Sequence, residues 1–528
     1  MKEIYKNITT GASAFLFTAL FLLSGCTDKY EEWNTDSHAA TDKDLEKDNL
    51  KTGTFFTQMQ QYVFVVNNVS SDYQIAQNLN ADLFSGYIGA CGIWNSGSNN
   101  SNYNLIAAWN KAPFEFAYVK VMNPWSLIKK FAEAANQAHV SALADVVKVE
   151  AMHRVTDIYG PIPYSNFGDG VLKAKYDSQE KIYDAFFVEL DNAIKVLTDF
   201  HTKNPNSKIL TDYDHVYNGN VEKWIRFANT LRLRLAMRIA YVAPEKARQQ
   251  AELAVNHSIG VIKDAGDVAK VRNERITFEY PLYVICHNFN EIRMGASMDS
   301  YLNGYKDPRL SKYFVQSSGG DYRGIRSGIN VNSNYAKAAF SKLNCQINSD
   351  MMWMSPAESY FLMAEGAIRG WDMGGSAQEF YENGIKTSFT HNGVGDAESY
   401  IANDTDVPAD YTDIVSGGNS NIALSDLTIK WDDSDDFERK LERIITQKWI
   451  AMYPDGQEAW SEFRRTGYPK IFPVKVNNSG GTINTQTQIR RLPFPSPEYI
   501  DNPENVKEAV SLLGGSDNGG TRLWWDKK

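Results

Sequence analysis

Apolar residues recur at intervals of three and four along much of this chain, the period of helices that bury one face. In residues 178–197 the stripe is Ile182, Tyr183, Phe186, Leu190, Ala193, Ile194 and Leu197, behind Ser178, a residue suited to an N-cap. In 221–241 it is Trp224, Phe227, Ala228, Leu231, Leu235 and Ile239. Arg226, Arg232, Arg234 and Arg238 decorate that same helix and read as a solvated or salt-bridged face. Ser355-Pro356-Ala357-Glu358 has capping-box spacing with proline at the first helical position. It predicts a helix running to about Arg369, with Gly370 as the stop. Gly374-Gly375-Ser376 turns the chain into another helix, carrying Ala377, Phe380, Tyr381, Ile385 and Phe389. Two further helices, 437–453 and 458–464, flank Pro454-Asp455-Gly456.

Paired helices with short turns predict a mainly α fold built on tetratricopeptide-like repeats, in which each pair covers its neighbour's apolar face. Residues 145–158 with 178–197 form one candidate unit, and Ala364-Glu365 with Ala377, Tyr381 and Ile385 mark another. Between the helical blocks lie irregular stretches. Residues 95–104 (NSGSNNSNYN) are flanked by Trp94 and Trp109, and residues 259–354 show little helical period. Loops this long in a compact domain are functional or disordered, and the aromatics they carry favour function.

Composition narrows the function classes. The chain has 528 residues and a net charge of −10, without a basic block, so it lacks the electrostatic footprint of a nucleic-acid binder. Aromatics are 12% of the residues, enough to fill a core and still leave flat rings for a binding surface. The four cysteines (Cys26, Cys91, Cys286, Cys345) form no CxxC pair, and no HExxH is present, so neither a disulfide framework nor a zinc site is expected. No cofactor is called for.

The first 26 residues carry an address. Lys2 and Lys6 precede an apolar run from Ala12 to Leu23, and Leu23-Ser24-Gly25-Cys26 follows. That run is short for a bilayer span and has the form of an export signal. Small residues before a cysteine resemble a bacterial lipobox, which implies cleavage before Cys26 and acylation of its thiol and amine. The expected organisation is a signal peptide at 1–25, a lipidated polar tether at 26–48, and a folded domain at 49–528.

Residues 157–164 (DIYGPIPY) match the signature of the SusD/RagB family of Bacteroidetes outer-membrane lipoproteins. Residues 224–231 (WIRFANTL), 355–367 (SPAESYFLMAEGA), 447–451 (QKWIA), 458–467 (EAWSEFRRTG), 490–495 (RRLPFP) and 523–526 (LWWD) follow in the family's order. The chain therefore resembles a SusD-like protein over nearly its whole mature length. The resemblance implies a tetratricopeptide-like scaffold with an irregular, loop-rich ligand-binding part. It also implies a non-catalytic, lipid-anchored protein facing the cell exterior. Such a protein would capture an oligosaccharide, or in some members a peptide, and pass it to a SusC-like TonB-dependent transporter.

Sugar recognition needs flat apolar faces for C–H surfaces and planar amides or guanidinium groups for hydroxyls. Trp94, Asn95 and Tyr103 in the first loop have that chemistry. Tyr283, His287 and Asn290, with Tyr322 and Arg323 in the glycine-rich stretch 317–328, are placed opposite them by region. Trp109, Trp353 and Trp449 sit in contexts that suit the core. The DIYGPIPY segment has a structural explanation: Gly160 permits an unusual backbone, Pro161 and Pro163 fix an extended turn, and Asp157 and Tyr159 can bond backbone groups around it. Asp432, Asp433, Asp435 and Asp436 suit a helix N-terminus better than a calcium loop, because the glycine and terminal glutamate of an EF-hand are missing. A surface glycosidase would need two carboxylates facing across a cleft, which sequence alone leaves open. No nucleophile elbow or catalytic histidine spacing supports a hydrolase.

The anchoring expectation is directly testable. Cys26→Ala should leave the domain folded but release it from membranes, since the tether offers no other apolar attachment. Tight fractionation of that variant with outer membrane, in cells lacking a partner transporter, would refute lipidation.

Overall fold

The computed structural model describes residues 49–168, 170 and 173–528. The expected signal peptide, Cys26 and the expected tether lie outside the described residues. The larger compact unit runs from Thr52 to Lys528.

Its scaffold is a stack of antiparallel helices. The helices that carry the argument are α1 (Leu50–Val63), α2 (Asn123–Ala134), α3 (Ala138–Tyr159), α4 (Gln179–Lys203), α5 (Val221–Arg238) and α6 (Pro244–Val255). They are followed by α7 (Glu358–Ile368), α8 (Ala377–Asn392), α9 (Phe437–Ala451), α10 (Gly456–Thr466) and α11 (Pro503–Leu513). Consecutive members pack side by side from α2 to α6. Likewise α7, α8 and α9 pack on one another, and α5 meets α7 to join the two groups. Both expected repeat units form, α3 with α4 and α7 with α8. In the second the backbones approach closely: a Cβ on Gly384 of α8 would fall 2.7 Å from the Phe361 ring of α7.

The caps follow local chemistry. Ser178 accepts from the Lys181 amide at the start of α4, Ser376 from Glu379 at α8, and Asp436 from Arg439 at α9. Asp435 pairs instead with Arg443. The predicted capping box at Ser355 does not form. The Ser355 hydroxyl accepts from the Ala357 amide, and Glu358 points into the core, where its carboxylate holds Arg234 at 2.8 and 2.6 Å. A buried guanidinium outcompetes a helix amide for that carboxylate.

The arginines of α5 therefore correct the solvated alternative. Arg234 and Arg238 are fully buried and salt-bridged. Arg238 reaches Asp157 of α3 at 3.1 Å and Glu462 of α10 at 2.7 Å. Lys448 of α9 lies 3.0 Å from Glu462, and Arg465 of α10 forks onto Glu365 of α7 with both contacts at 2.6 Å. Trp224, Trp353, Trp449, Trp460 and Trp525 are all fully buried, and Arg238 lies 5.4 Å from the Trp525 ring centroid. Trp353 and Trp449 are core as expected, whereas Trp109 is only half-buried.

The DIYGPIPY turn has a structural role. Gly160 adopts φ +86°, and the Tyr159 hydroxyl donates to the Asn110 carbonyl. Asp157 bonds side chains rather than the backbone groups expected of it: Tyr183 Oη at 2.7 Å, Trp525 Nε1 at 2.8 Å and Arg238. It fastens the C-terminal segment to α3, α4 and α5.

Four short strands, β1 (Ile88–Ala90), β2 (Ala269–Val271), β3 (Ile292–Met294) and β4 (Met351–Met354), pair antiparallel as β1 with β3 and β2 with β4. They brace the irregular part. The β1–β3 ladder joins the first loop region to the second.

Glu150 of α3 supplies a pH signature. Burial pushes its carboxyl up to about 8 although Arg234 and Arg154 oppose the shift, and its Oε2 has no hydrogen-bond partner. Between the ordinary value of 4.5 and pH 8 the native state keeps a proton that the unfolded chain has lost, so stability falls as pH rises through that window. Glu150→Gln removes the ionisation while keeping the shape. Its melting temperature relative to the parent should rise from pH 5 to pH 9; a constant difference would refute the assignment.

Candidate functional site

The first loop is held by its own polar interior. Residues 94–97 and 100–102 form short 3-10 turns, and Asn99 and Asn102 exchange a reciprocal cap. The Asn100 amide donates to Asn80 Oδ1 at 2.5 Å and Asn110 Oδ1 at 2.9 Å, and its oxygen accepts from the Ile106 amide at 2.7 Å. Buried amides thus replace the apolar core that a Ser/Asn/Gly sequence cannot supply.

This anchoring places Trp94 at a junction. Past the end of β1, the Cys91 and Gly92 amides both donate to the Glu291 carbonyl, at 2.8 and 3.0 Å. Gly92 lies under the indole, where a Cβ would come within 3.1 Å of both Trp94 Nε1 and the Glu291 side chain. The ring is half-buried against the main core, and its Nε1 is enclosed without a partner. Flanking Ile93 is 52% exposed, and Phe289 from the second region is 46% exposed. The Glu291 carboxylate accepts from the Gln74 amide at 2.6 Å. Trp94, Ile93 and Phe289 supply apolar surface near a carboxylate–amide pair, a combination that suits a polyhydroxylated ligand.

The other expected residues divide. Asn95 is exposed, in a left-handed conformation (φ 47°), with its amide turned back onto the Ser98 carbonyl at 2.6 Å. Tyr103 is 3% exposed, a correction to its expected place on the surface. The chain enters a left-handed turn at Tyr103, which carries the ring inward beside Phe84, 6.5 Å between centroids. Tyr283 and His287 stack on each other at 4.6 Å, and His287 Nε2 donates to the Leu343 carbonyl at 2.9 Å. Burial holds that imidazole below its ordinary pKa. Asn290 spends its side-chain oxygen on Arg293, and its carbonyl accepts from Cys91 Sγ.

Tyr322 and Arg323 belong to a different neighbourhood. The Tyr322 carbonyl accepts from Asn303, and Arg323 pairs with Asp321 at 2.5 Å while its backbone bonds Ser341. Among the described residues no hydrogen bond or ring contact links them to Trp94. Ile93 and Phe289 adjoin expected site residues in sequence, so apolar neighbours of Trp94 and Asn290 were the signal for them. Nothing in sequence pointed to Gln74 or Glu291.

Acidic groups raised by burial sit elsewhere. Asp82, pushed to about 6, and Glu150 sit among the packed helices, whereas Asp299, also pushed to about 6, lies in the irregular part next to Arg323. Asp82 accepts from Tyr73 and Gln77, and Asp299 from the Gly324 amide.

A family model described as SusD-like, SusD and RagB outer membrane lipoprotein, matches residues 32–526. The chain belongs to that family, whose members are non-catalytic binding proteins. Among solved structures it is similar to a chitin-binding SusD homologue from Flavobacterium johnsoniae, at 42% identity and TM-score 0.87, covering 90% of this chain and 99% of the other. A SusD homologue from Bacteroides uniformis is 40% identical with TM-score 0.85, again covering 90% and 99%. One from Bacteroides vulgatus is 35% identical with TM-score 0.86, covering 92% and 99%. No curated protein matches. The mainly helical, tetratricopeptide-like fold and the SusD-like nutrient-binding lipoprotein class expected from sequence are both confirmed.

Asn100→Ala tests how the loop is held. Removing three hydrogen bonds, two of them buried, should destabilise the domain by about 1–3 kcal/mol in denaturant unfolding. It should also speed amide exchange across residues 94–104. Unchanged exchange there would show that the loop does not depend on Asn100.

Proposed function

We propose that this protein captures an oligosaccharide at the outer surface of the outer membrane and delivers it to a SusC-like TonB-dependent transporter. The ledge of Trp94, Ile93 and Phe289 beside Glu291 and Gln74 is the first contact for the sugar. The observation that carries this reading is the half-buried Trp94 indole: it packs against the core over Gly92, with the exposed Ile93 beside it. A ring immobilised in that way stacks on a sugar without losing further freedom. Glu291 and Gln74 provide an acceptor and a donor for hydroxyl or acetamido groups. The chitin-binding relative makes β-linked N-acetylglucosamine oligomers the first ligands to test. Tyr283, Asn95 and His287 extend the surface. Tyr322 and Arg323 serve only a ligand long enough to reach a second contact, and Tyr103 supports the loop from beneath. Peptide capture is the alternative within the family. No catalytic step is required of any residue.

Trp94→Ala should weaken binding of an N-acetylglucosamine oligomer by about 1–3 kcal/mol, roughly 5- to 150-fold, judged from aromatic stacking elsewhere. Because the ring is half-buried, folding stability should fall by about 1–2 kcal/mol, less than for a core tryptophan. Calorimetry and melting curves on the same variant read both. Glycan affinity unchanged by the substitution would remove Trp94 from the site. Saturable binding of peptides but no glycan would favour the alternative.

A further inference from the structure

We propose that a cationic cleft between the end of α10 and the C-terminal segment is a second ligand site, specific for a carboxylated sugar unit. It shares no residue with the ledge at Trp94 and stands independently of it.

The cleft has a volume of about 490 Å³, room for one or two sugar rings. Arg464, Lys470, Arg490, Arg522 and Lys528 line it, and no aspartate or glutamate does. In a chain of net charge −10 such a concentration of one sign is a local feature. Three side-chain carboxylates pair with these cations, and Arg522 also donates to the Lys528 main-chain oxygen at 2.6 Å. Asp526 is shared by Arg490 and Arg522, both at 2.7 Å, Glu442 lies 3.2 Å from Lys470, and Glu438 holds Lys528.

Among the described residues Arg464 has no carboxylate in contact. Its guanidinium donates to the carbonyls of Asp157 (2.6 Å), Arg490 (2.8 Å) and Trp460 (3.3 Å) and to Ser461 Oγ (2.9 Å). It lies 3.5 Å from the Trp460 ring centroid and is 1% exposed. Burial pushes its pKa down to about 9; Asp157 and Asp526 oppose the shift, and Arg490 and Arg238 add to it. An anion entering the cleft would compensate that charge. Lys470 and Arg522, each held by one carboxylate, still keep 41% and 42% of their side-chain surface in solvent, within reach of a ligand in the cleft. Guanidinium forks suit a carboxylate. Tyr468 and Pro473 supply apolar surface, and Gln486 and Gln488 supply amides for hydroxyls, which a bare inorganic anion would not need.

The test compares cellobiouronic acid, neutral cellobiose and sodium sulfate at matched ionic strength, by calorimetry on the whole folded domain. Cellobiouronic acid should bind at least tenfold more tightly than either control, with affinity falling as salt rises. Lys470→Gln and Arg522→Gln should each weaken it about five- to tenfold while leaving N-acetylglucosamine oligomer binding unchanged. Asp526 retains Arg490 and Glu442 retains Ser425, so both variants should melt as the parent does. Equal affinity for acid and neutral sugar, no detectable binding of the acid, or indifference to both substitutions would overturn the proposal. Sulfate binding as tight as the uronate would reduce the cleft to a simple anion hole and overturn the sugar assignment.

Discussion

The fold depends on charges that water cannot reach. Arg234 and Arg238 of α5, Glu358 and Glu365 of α7, Lys448 of α9, and Glu458, Glu462 and Arg465 of α10 meet in one buried network, with Asp157 of α3 at its edge. Burying such groups costs several kcal/mol per ion, and the cost is recovered only when every partner is in place. Each helix is therefore fixed in register by the others, since a shift of one turn would strand a charge. Apolar stripes alone would tolerate sliding. Glu150, whose second oxygen finds no donor, meets the same constraint by keeping its proton.

That rigidity also fixes the irregular part. Residues 88–104 and 283–296 contain only fragments of regular structure. They are nevertheless pinned by the β1–β3 ladder, by Cys91 and Gly92 on Glu291, and by the buried asparagines. A surface set in this way presents rings and amides without an entropic penalty on binding. Capture needs nothing more reactive. The raised carboxyls of Asp82, Glu150 and Asp299 are held by hydrogen bonds and ion pairs within the protein.

Charge is partitioned as well. Cations of the scaffold are matched by carboxylates within it, whereas those around the α10 cleft are only partly matched. One chain thus carries two surfaces of different chemistry, an apolar ledge with one carboxylate and a cationic hollow.

Helix positions, most caps and the family were legible in the sequence because each is encoded locally, by a period, a hydroxyl or an ordered set of short motifs. The expected helix at 178–197 starts at its Ser178 cap, and the core roles of Trp353 and Trp449 followed from apolar neighbours. The structure alone decided where long-range partners lie. Glu358 has the spacing of a capping residue, yet Arg234, 124 positions away, claims it. Tyr103 has the composition of a loop-tip aromatic, yet one left-handed residue turns its ring inward. Glu291 and Gln74 meet beside Trp94 only because β1 and β3 pair across two hundred residues, and no local pattern records such a pairing. A sequence writes each residue's preferences; which preference wins is set by the charges, rings and amides that folding brings alongside.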